Sequence, residues 1–366
     1  MARKLKSDRI LFLATILLVG LSILMVYSAS AVMALERYQQ PYLFLTRQAM
    51  WALLGVGALG LVMRIDYHVY REPVFIWSCL GVVLVGLTAV LFSPPVNNAR
   101  RWIALGGLGV QPSELAKLSA IFFIAALLER RMHRINEVSY SLLPIVITVG
   151  SLVGLIMLEP DFGTSVTLVL IAATMVFAAG LNYSYIVGTA LALVPLATIA
   201  AMAAPYRRTR LLAFVNPWDD PLRTDFQIIQ SLLAVGTGGI DGRGLMNGVQ
   251  KLFYLPYPYS DFIYAVISEE LGLIGATLVL ACFCVIAWRG LRIALGAPDS
   301  FGAFLAIGLT TMVAVQAFVN ISVVLGLMPT KGIPLPFISA GGSSMLVNLV
   351  GMGVLLNVSQ HALSEA

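Results

Sequence analysis

The chain has 366 residues, of which 59% are hydrophobic and 11% are charged, and its mean hydropathy is +0.90. One soluble core could not bury that much apolar surface, so the composition excludes a soluble globular protein and indicates an integral membrane protein. The net charge of +5 is not gathered in a dense Lys/Arg run, which argues against nucleic acid as a partner.

Ten apolar stretches are candidates to cross a bilayer as a helix, which takes about 17 to 25 residues, although the second and the tenth are short. They begin near Ile10, Ala49, Val74, Leu115, Leu142, Thr164, Tyr185, Phe262, Phe301 and Ser343. The sequence therefore predicts an all-α polytopic membrane protein with ten transmembrane helices. Residues 1–366 form one transmembrane domain in this prediction, and residues 205–260 form a long extracytoplasmic loop between the seventh and eighth helices.

Lys and Arg in the short loops predict the orientation, because cytoplasmic loops carry an excess of both. With a cytoplasmic N-terminus, eleven of the 23 basic residues face the cytoplasm and five lie in short outer loops. The first stretch, Ile10–Tyr27, exceeds a signal-peptide core of about 7 to 15 residues, so an uncleaved helix is expected. The prediction is a multi-pass membrane protein with both termini in the cytoplasm.

The segment 205–260 is far longer than an ordinary connection, and long loops are usually functional or disordered. Within it, Phe226–Val235 has a one-sided helical pattern, which predicts an amphipathic helix at the outer membrane surface. The glycine-rich run 236–244 follows. Leu-Met at 245–246 stands where a Walker A loop needs Lys-Ser or Lys-Thr, so tight turning or mobility is favoured over phosphate binding.

Three further outer segments, residues 97–117, 159–163 and 331–344, carry residues that a passive loop would not need. On the predicted topology they face the same side as Asp261. Pro and Gly at the mouths of spans predict broken helices, which membranes tolerate only where the backbone is buried in protein or lines a wet cavity. A shared outward-facing cavity is therefore expected.

Asp261 stands where the long loop meets an apolar helix. Ionisable residues in such places are functional candidates, but Asp is also a preferred helix N-cap, and both interpretations stay open. Glu269 and Glu270 lie about 12 to 13.5 Å further along a helix, too far for the paired carboxylates of a glycosidase. A single carboxylate near cations suits attack by a hydroxyl on a carbon that bears a phosphate leaving group.

Glu114 and Lys117 are three residues apart, so they share a helical face and can form an ion pair. The pair is either structural or offers positive charge to an anionic substrate. The same two interpretations apply to the basic residues of the other outer segments. The candidate substrate-binding residues are Arg100, Arg101, Glu114, Lys117, Arg243, Lys331 and Ser339.

Cys79, Cys282 and Cys284 all fall within apolar spans, which favours small packing residues over a disulfide or a metal set. The three histidines are far apart in the sequence and map to the cytoplasmic side, so zinc is not expected. The identity of any metal ligand stays open.

Eight segments resemble, in order, the SEDS family (shape, elongation, division and sporulation), the membrane glycosyltransferases that polymerise the peptidoglycan precursor lipid II. The resemblance runs over nearly the whole chain. The matching segments are Val26–Ser30, Arg100–Ile103, Gln111–Lys117, Pro160–Thr164, Asn216–Pro221, Gln227–Ser231, Ser260–Ile263 with Glu269–Gly272, and Lys331–Ser339.

The resemblance implies a ten-span fold in the bacterial plasma (inner) membrane, an outward cavity and an essential Asp at position 261. Asp261 would act as general base on the sugar 4-hydroxyl of the acceptor, which attacks the anomeric carbon of the donor and displaces undecaprenyl pyrophosphate with inversion. Mg²⁺ or Mn²⁺ could help the basic residues to hold the pyrophosphate. The implied partners are lipid II, a class B penicillin-binding protein that supplies the transpeptidase, other division proteins and membrane lipids.

Residues 316–321 and 289–302 resemble the septal FtsW branch of the family more than the elongation RodA branch, which implies location at the division septum. The chain departs from the family pattern at Tyr257 and Tyr259, where Glu and His are usual. Two alternatives stay open. One is a lipid II flippase, which the clustering of unusual residues on one side disfavours; the other is a non-catalytic scaffold for the penicillin-binding protein.

Overall fold

The computed structural model describes residues 7–94, 100–105, 108–185, 226–330 and 332–362, with a few isolated positions between 187 and 214. Most of these residues are helical, and a hairpin of two short antiparallel strands precedes the fourth helix. The helices are α1 (Arg9–Tyr38), α2 (Leu43–Val62), α3 (Pro73–Val90), α4 (Pro112–Arg131), α5 (Leu143–Leu158), α6 (Phe162–Ala178), α7 (Phe226–Gly238), α8 (Ile263–Leu295), α9 (Ser300–Val324) and α10 (Gly342–Ser359). The strands are β1 (Ile103–Leu105) and β2 (Leu108–Val110), and Ile103 pairs with Val110.

Seven helices in the described residues are long and apolar enough to cross a membrane: α1, α2, α3, α5 with the turn before it, α8, α9 and α10. Helix α6 is shorter, at 17 residues, and α4 carries two charged residues in its first two turns. The seventh predicted span lies mostly outside the described residues. A multi-pass helical membrane protein is therefore confirmed, and the count of ten spans stays a prediction.

Helix α10 lies at the centre of the bundle. In its most apolar 18-residue stretch, 83% of the residues are buried, against 28% for α3. Glycine allows α10 to approach α2 closely, because an added Cβ on Gly342 would lie 2.0 Å from Nε1 of Trp51, and one on Gly55 would lie 2.5 Å from Cδ1 of Leu349. A side chain at either of these two positions would therefore force α2 and α10 to repack.

Helix α8 is broken at Gly272, whose φ of 64° and ψ of −163° are not helical. The glycine-rich run 236–244 supplies hydrogen-bond partners for the backbone groups at this break. The amides of Arg243 and Gly244 donate to the carbonyls of Glu269 and Glu270, both at 3.0 Å. In the other direction, the amide of Leu273 donates to the carbonyl at position 239 at 2.9 Å. The run therefore makes tight turns, as predicted, and meets the rule that broken helices need backbone partners.

Helix α7 confirms the helix predicted over Phe226–Val235 and extends it to Gly238. Its buried residues include Ile228, Ile229 and Ala234. The Ser231 hydroxyl donates to the carbonyl of Val324 at the end of α9, at 2.8 Å. The buried face therefore packs against protein, and the predicted position of this helix at the outer membrane surface stays a prediction.

Candidate functional site

The predicted outer segments converge at one end of the bundle, called here the site end. The Arg101 guanidinium donates to the carbonyl of Glu159 at 3.2 Å. The Gln111 side chain donates to Oδ2 of Asp161 at 3.0 Å, and the Gln111 amide donates to Oγ of Ser343 at 3.2 Å. Three segments that are distant in sequence thus meet at the start of α4.

The segment 332–340 joins this assembly to Asp261. The Asn320 side-chain nitrogen donates to the carbonyl of Asp261 and to that of Ile333, both at 2.8 Å. An added Cβ on Gly163 would lie 2.7 Å from Cγ1 of Ile333, so the start of α6 packs on the same segment. The prediction that these segments share one side of the protein is confirmed.

Asp261 lies just outside α8 rather than at its cap position. The helix begins at Ile263, and Phe262 occupies the N-cap position. Asp261 is partly exposed, and an added Cβ on Gly332 would lie 2.9 Å from its Oδ2. The carboxylate therefore packs against the backbone of Gly332 while part of the residue stays accessible.

Ser339 is buried and bonded to the chain on either side of Asp261. Its hydroxyl donates to the carbonyl of Ser260 at 2.6 Å and accepts from the amide of Leu335 at 2.8 Å. The next amide, of Ala340, donates to the carbonyl of Tyr259 at 2.9 Å. Because its proton is already donated to the backbone, Ser339 supports the Asp261 segment; its predicted substrate contact stays a prediction.

Glu114 and Lys117 form the predicted ion pair, with 2.8 Å between Oε2 and Nζ. The two side chains are only 3% and 1% exposed. Each charge therefore depends on the other, because removing one partner of a buried pair leaves an uncompensated charge. The substrate-binding role of this pair stays a prediction.

The candidate arginines differ in their surroundings. Arg101 approaches a carboxylate, with Nη1 at 3.9 Å from Oδ1 of Asp161. Arg100 is exposed and donates to the carbonyl of Leu91 at 2.7 Å. Arg243 is 39% exposed and lies 3.8 Å from Oε1 of Glu269. Lys331 lies outside the described residues.

A second buried pair, which sequence reasoning missed, holds the loop that leads to Asp261. Nζ of Lys251 lies 2.6 Å from Oε1 of Glu270, and the Ser28 hydroxyl of α1 donates to the same carboxylate at 2.7 Å. The neighbouring Glu269 carboxylate accepts from the amide of Val249 at 2.8 Å. Lys251, which the sequence places in a loop, is thus a buried residue that ties this loop to α8.

Sequence reasoning also gave no individual role to Glu159. It is buried, and neither carboxylate oxygen has a hydrogen-bond partner within the described ranges. Burial, with a smaller contribution from nearby Asp161, raises the pKa of Glu159 to about 8 against the opposing effect of Arg101. The carboxyl is therefore neutral at pH 7. Its position at the end of a span, followed by Pro and Asp, was the available sequence signal.

Aromatic side chains occupy the positions where the family usually has Glu and His. Tyr257 is 46% exposed. The Tyr259 ring packs on Phe44 at the start of α2, with 4.8 Å between ring centroids. Burial raises the pKa of the Tyr259 hydroxyl, and the nearby Tyr38 adds to the shift. The Tyr259 hydroxyl therefore does not replace a carboxylate at neutral pH.

Among the described residues, no three or more His, Cys, Asp or Glu side chains form a group that could hold a metal ion. Mg²⁺ is commonly bound by one or two carboxylates together with substrate phosphates. The site-end carboxylates Asp161 and Asp261 have the chemistry for that mode. An all-protein cage is not found in this part of the chain.

Apolar helices, with the partly exposed residue Asp261 at the end of the bundle where Arg101 also lies, define a multi-pass membrane protein with a candidate site at that end. Residues 8–364 match the FtsW/RodA/SpoVE family of cell cycle proteins. The chain belongs to this family, which confirms the predicted SEDS membership.

Named relatives cover almost the whole chain. The probable peptidoglycan glycosyltransferase FtsW of Geobacter metallireducens is 43% identical over 357 residues, 97% of this chain and 95% of that protein. Stage V sporulation protein E of Bacillus subtilis is 43% identical over 367 residues, 98% of this chain and 99% of that protein.

Solved structures have the same fold. A chain from a peptidoglycan synthase complex that coordinates polymerisation and crosslinking is 30% identical, with a TM-score of 0.80 and coverage of 96% of this chain and 97% of that one. The rod shape determining protein RodA of Thermus thermophilus is 26% identical, with a TM-score of 0.72 and 98% coverage of both chains.

Proposed function

We propose that the chain is a peptidoglycan glycosyltransferase that polymerises lipid II, with Asp261 as the general base. The names of the relatives, at 43% identity over nearly the full length, support the activity. The observation that carries the catalytic assignment is the placement of Asp261: a partly exposed carboxylate against the Gly332 backbone, at the end of the bundle where the predicted outer segments meet.

In the proposed reaction, Asp261 accepts the proton of the acceptor sugar 4-hydroxyl. The oxygen forms a bond to the anomeric carbon of the donor, and the bond from that carbon to the pyrophosphate oxygen breaks with inversion. The electron pair leaves with undecaprenyl pyrophosphate. Positive charge placed where this negative charge develops is the main contribution that the protein can make.

Arg100, Arg101 and Lys331 are the candidates for holding the pyrophosphate. Lys117 and Arg243 would contribute through pairs that also contain Glu114 and Glu269. A divalent cation, Mg²⁺ or Mn²⁺, would neutralise the pyrophosphate together with one of the site-end carboxylates.

The proposal includes an orientation and a location. The site end faces the exterior, both termini face the cytoplasm, and the protein works at the division septum with a class B penicillin-binding protein. The similar chain in a peptidoglycan synthase complex supports a partner of this kind. The septal role is supported by relatives named FtsW.

The test compares lipid II polymerisation by wild type and Asp261→Asn, each with the penicillin-binding partner and with the transpeptidase blocked by antibiotic. A general base contributes about 10²- to 10⁴-fold to a rate, and a loss of that size is expected. Asp241→Asn, on an exposed acid of the same long loop, is the matched control and should keep the rate. Equal rates for wild type and Asp261→Asn would overturn the catalytic assignment.

The same preparation separates the alternatives. A wild-type complex that binds its partner but makes no polymer would favour the scaffold. Lipid II transfer across vesicles containing only the wild-type protein, again without polymer, would favour the flippase.

A further inference from the structure

We infer that Asn320 is a positioning residue that sets the place of the Asp261 carboxylate relative to the segment 332–340. This inference rests on the proposed function, because it assigns Asn320 a part in the reaction that Asp261 performs. Asn320 itself need not touch either substrate.

The Asn320 side chain contacts both the Asp261 residue and the segment 332–340. Asn320 lies in α9 and is 2% exposed. One amide nitrogen carries two protons, and here they are donated to the carbonyls of Asp261 and Ile333, both at 2.8 Å. The first bond holds the residue that bears the carboxylate. The second holds the residue after Gly332, against which that carboxylate packs.

The oxygen of the Asn320 amide supports the conclusion that this position requires a hydrogen-bond donor. Oδ1 of Asn320 is buried and has no hydrogen-bond partner among the described residues. An unsatisfied buried acceptor costs about 1 to 3 kcal/mol, so a side chain chosen only for packing would avoid it. Since both acceptors are carbonyl oxygens, only the NH₂ group fits between them, which fixes the orientation of the amide.

Asn320→Asp tests this most directly, because it keeps the shape and replaces the two donors. An ionised Asp offers no proton to the two carbonyls, whereas a neutral Asp offers one. Misplacement of a reacting group by about 1 Å can cost about 100-fold in rate. We expect kcat to fall by about 10- to 100-fold with KM for lipid II unchanged. The ratio of variant to wild-type kcat should rise as pH is lowered from 8 to 5, when the introduced acid gains its proton.

Asn348→Asp is the matched control. Asn348 is also buried with an unpartnered Oδ1, but its nitrogen donates within α10, to the carbonyl of Ser344 at 2.8 Å. Burying a carboxylate there should lower the unfolding midpoint without the pH-dependent loss in kcat. The same kcat ratio and pH dependence in both variants would overturn the inference, as would a change in KM alone for Asn320→Asp.

Asn320→Ser is the second test variant, for use if Asn320→Asp does not accumulate in the membrane. Serine keeps one donor, so kcat per folded molecule should fall with no change in KM, and the ratio to wild type should not vary with pH. An unchanged kcat in Asn320→Ser would reject the positioning role. The catalytic assignment fails separately, through full activity in Asp261→Asn.

Discussion

Nζ of Lys251 lies 2.6 Å from Oε1 of Glu270, and the two side chains are 4% and 0% exposed. A buried pair of this kind couples the loop before Asp261 to the helix after it. Its consequence is asymmetric, because removal of one partner is much more damaging than removal of both.

Lys251→Met should therefore lower the free energy of unfolding by about 3 to 5 kcal/mol. The double variant Lys251→Met with Glu270→Gln should recover much of that loss, because no buried charge is left uncompensated. Thermal unfolding midpoints in detergent measure both. Arg71→Met is the control: Arg71 is 42% exposed beside Glu129, and exposed pairs contribute about 0 to 1 kcal/mol. Equal destabilisation at the two sites would contradict the prediction.

The Glu114–Lys117 pair allows its structural and functional roles to be separated. Lys117→Met and Glu114→Gln should each lower the unfolding midpoint. Their combination should restore the midpoint but not polymerisation, because the neutral pair no longer offers positive charge to an anionic substrate. Polymer formed per folded molecule is the measurement. Full activity in the stable double variant would leave the pair a purely structural role.

The raised pKa of Glu159 predicts that the stability of the folded protein depends on pH. Its pKa is about 8 in the folded protein against 4.5 for an ordinary Glu. Because the pKa is higher in the folded protein than in the unfolded chain, Glu159 contributes fully to the free energy of unfolding below pH 4.5. This contribution is lost as pH rises to about 8. Glu159→Gln cannot ionise, so its unfolding midpoint should fall less than that of wild type between pH 5 and 9. Glu137→Gln, at a carboxyl that is 55% exposed, should follow wild type; identical curves for all three proteins would refute the assignment.

Gly332→Ala tests the contact between Gly332 and the Asp261 carboxylate. The added methyl carbon would lie 2.9 Å from Oδ2 of Asp261, so the carboxylate must move and kcat should fall by at least about 10-fold. Gly341→Ala is the control, since its Cβ would meet Cβ of Ser344 at an ordinary 3.6 Å. Polymerisation rates at matched amounts of folded protein provide the comparison, and a fully active Gly332→Ala would show that the carboxylate tolerates displacement.

Helix positions were largely predictable wherever local sequence controls the boundary. The spans expected near Val74, Leu142, Phe301 and Ser343 begin within one residue of α3, α5, α9 and α10. Helix α2 was placed too late, because Arg47 and Gln48 interrupt the apolar run. Gln48 is buried and donates to Oγ of Ser22 at 3.3 Å, a partner that hydropathy cannot reveal.

The site was predictable where charge is unusual for its surroundings and unpredictable where a long-range contact gives a residue its role. Asp261 and the Glu114–Lys117 pair belong to the first kind. Asn320, Lys251 and Glu159 belong to the second: an amide in a span, a lysine in a loop and an acid at a helix end are ordinary until their neighbours are known. Periodicity reports which face of a helix is apolar, not which carbonyl a side chain reaches.

The break at Gly272 has a mechanical consequence. The glycine-rich run supplies hydrogen bonds that an unbroken α8 would have made within itself, so this part of the long loop behaves as part of that helix. Lifting it away would strip several main-chain groups of partners in an apolar setting, where water cannot replace them. A force applied to the loop is therefore transmitted to the short piece of α8 before Gly272 and to Asp261, just ahead of that piece.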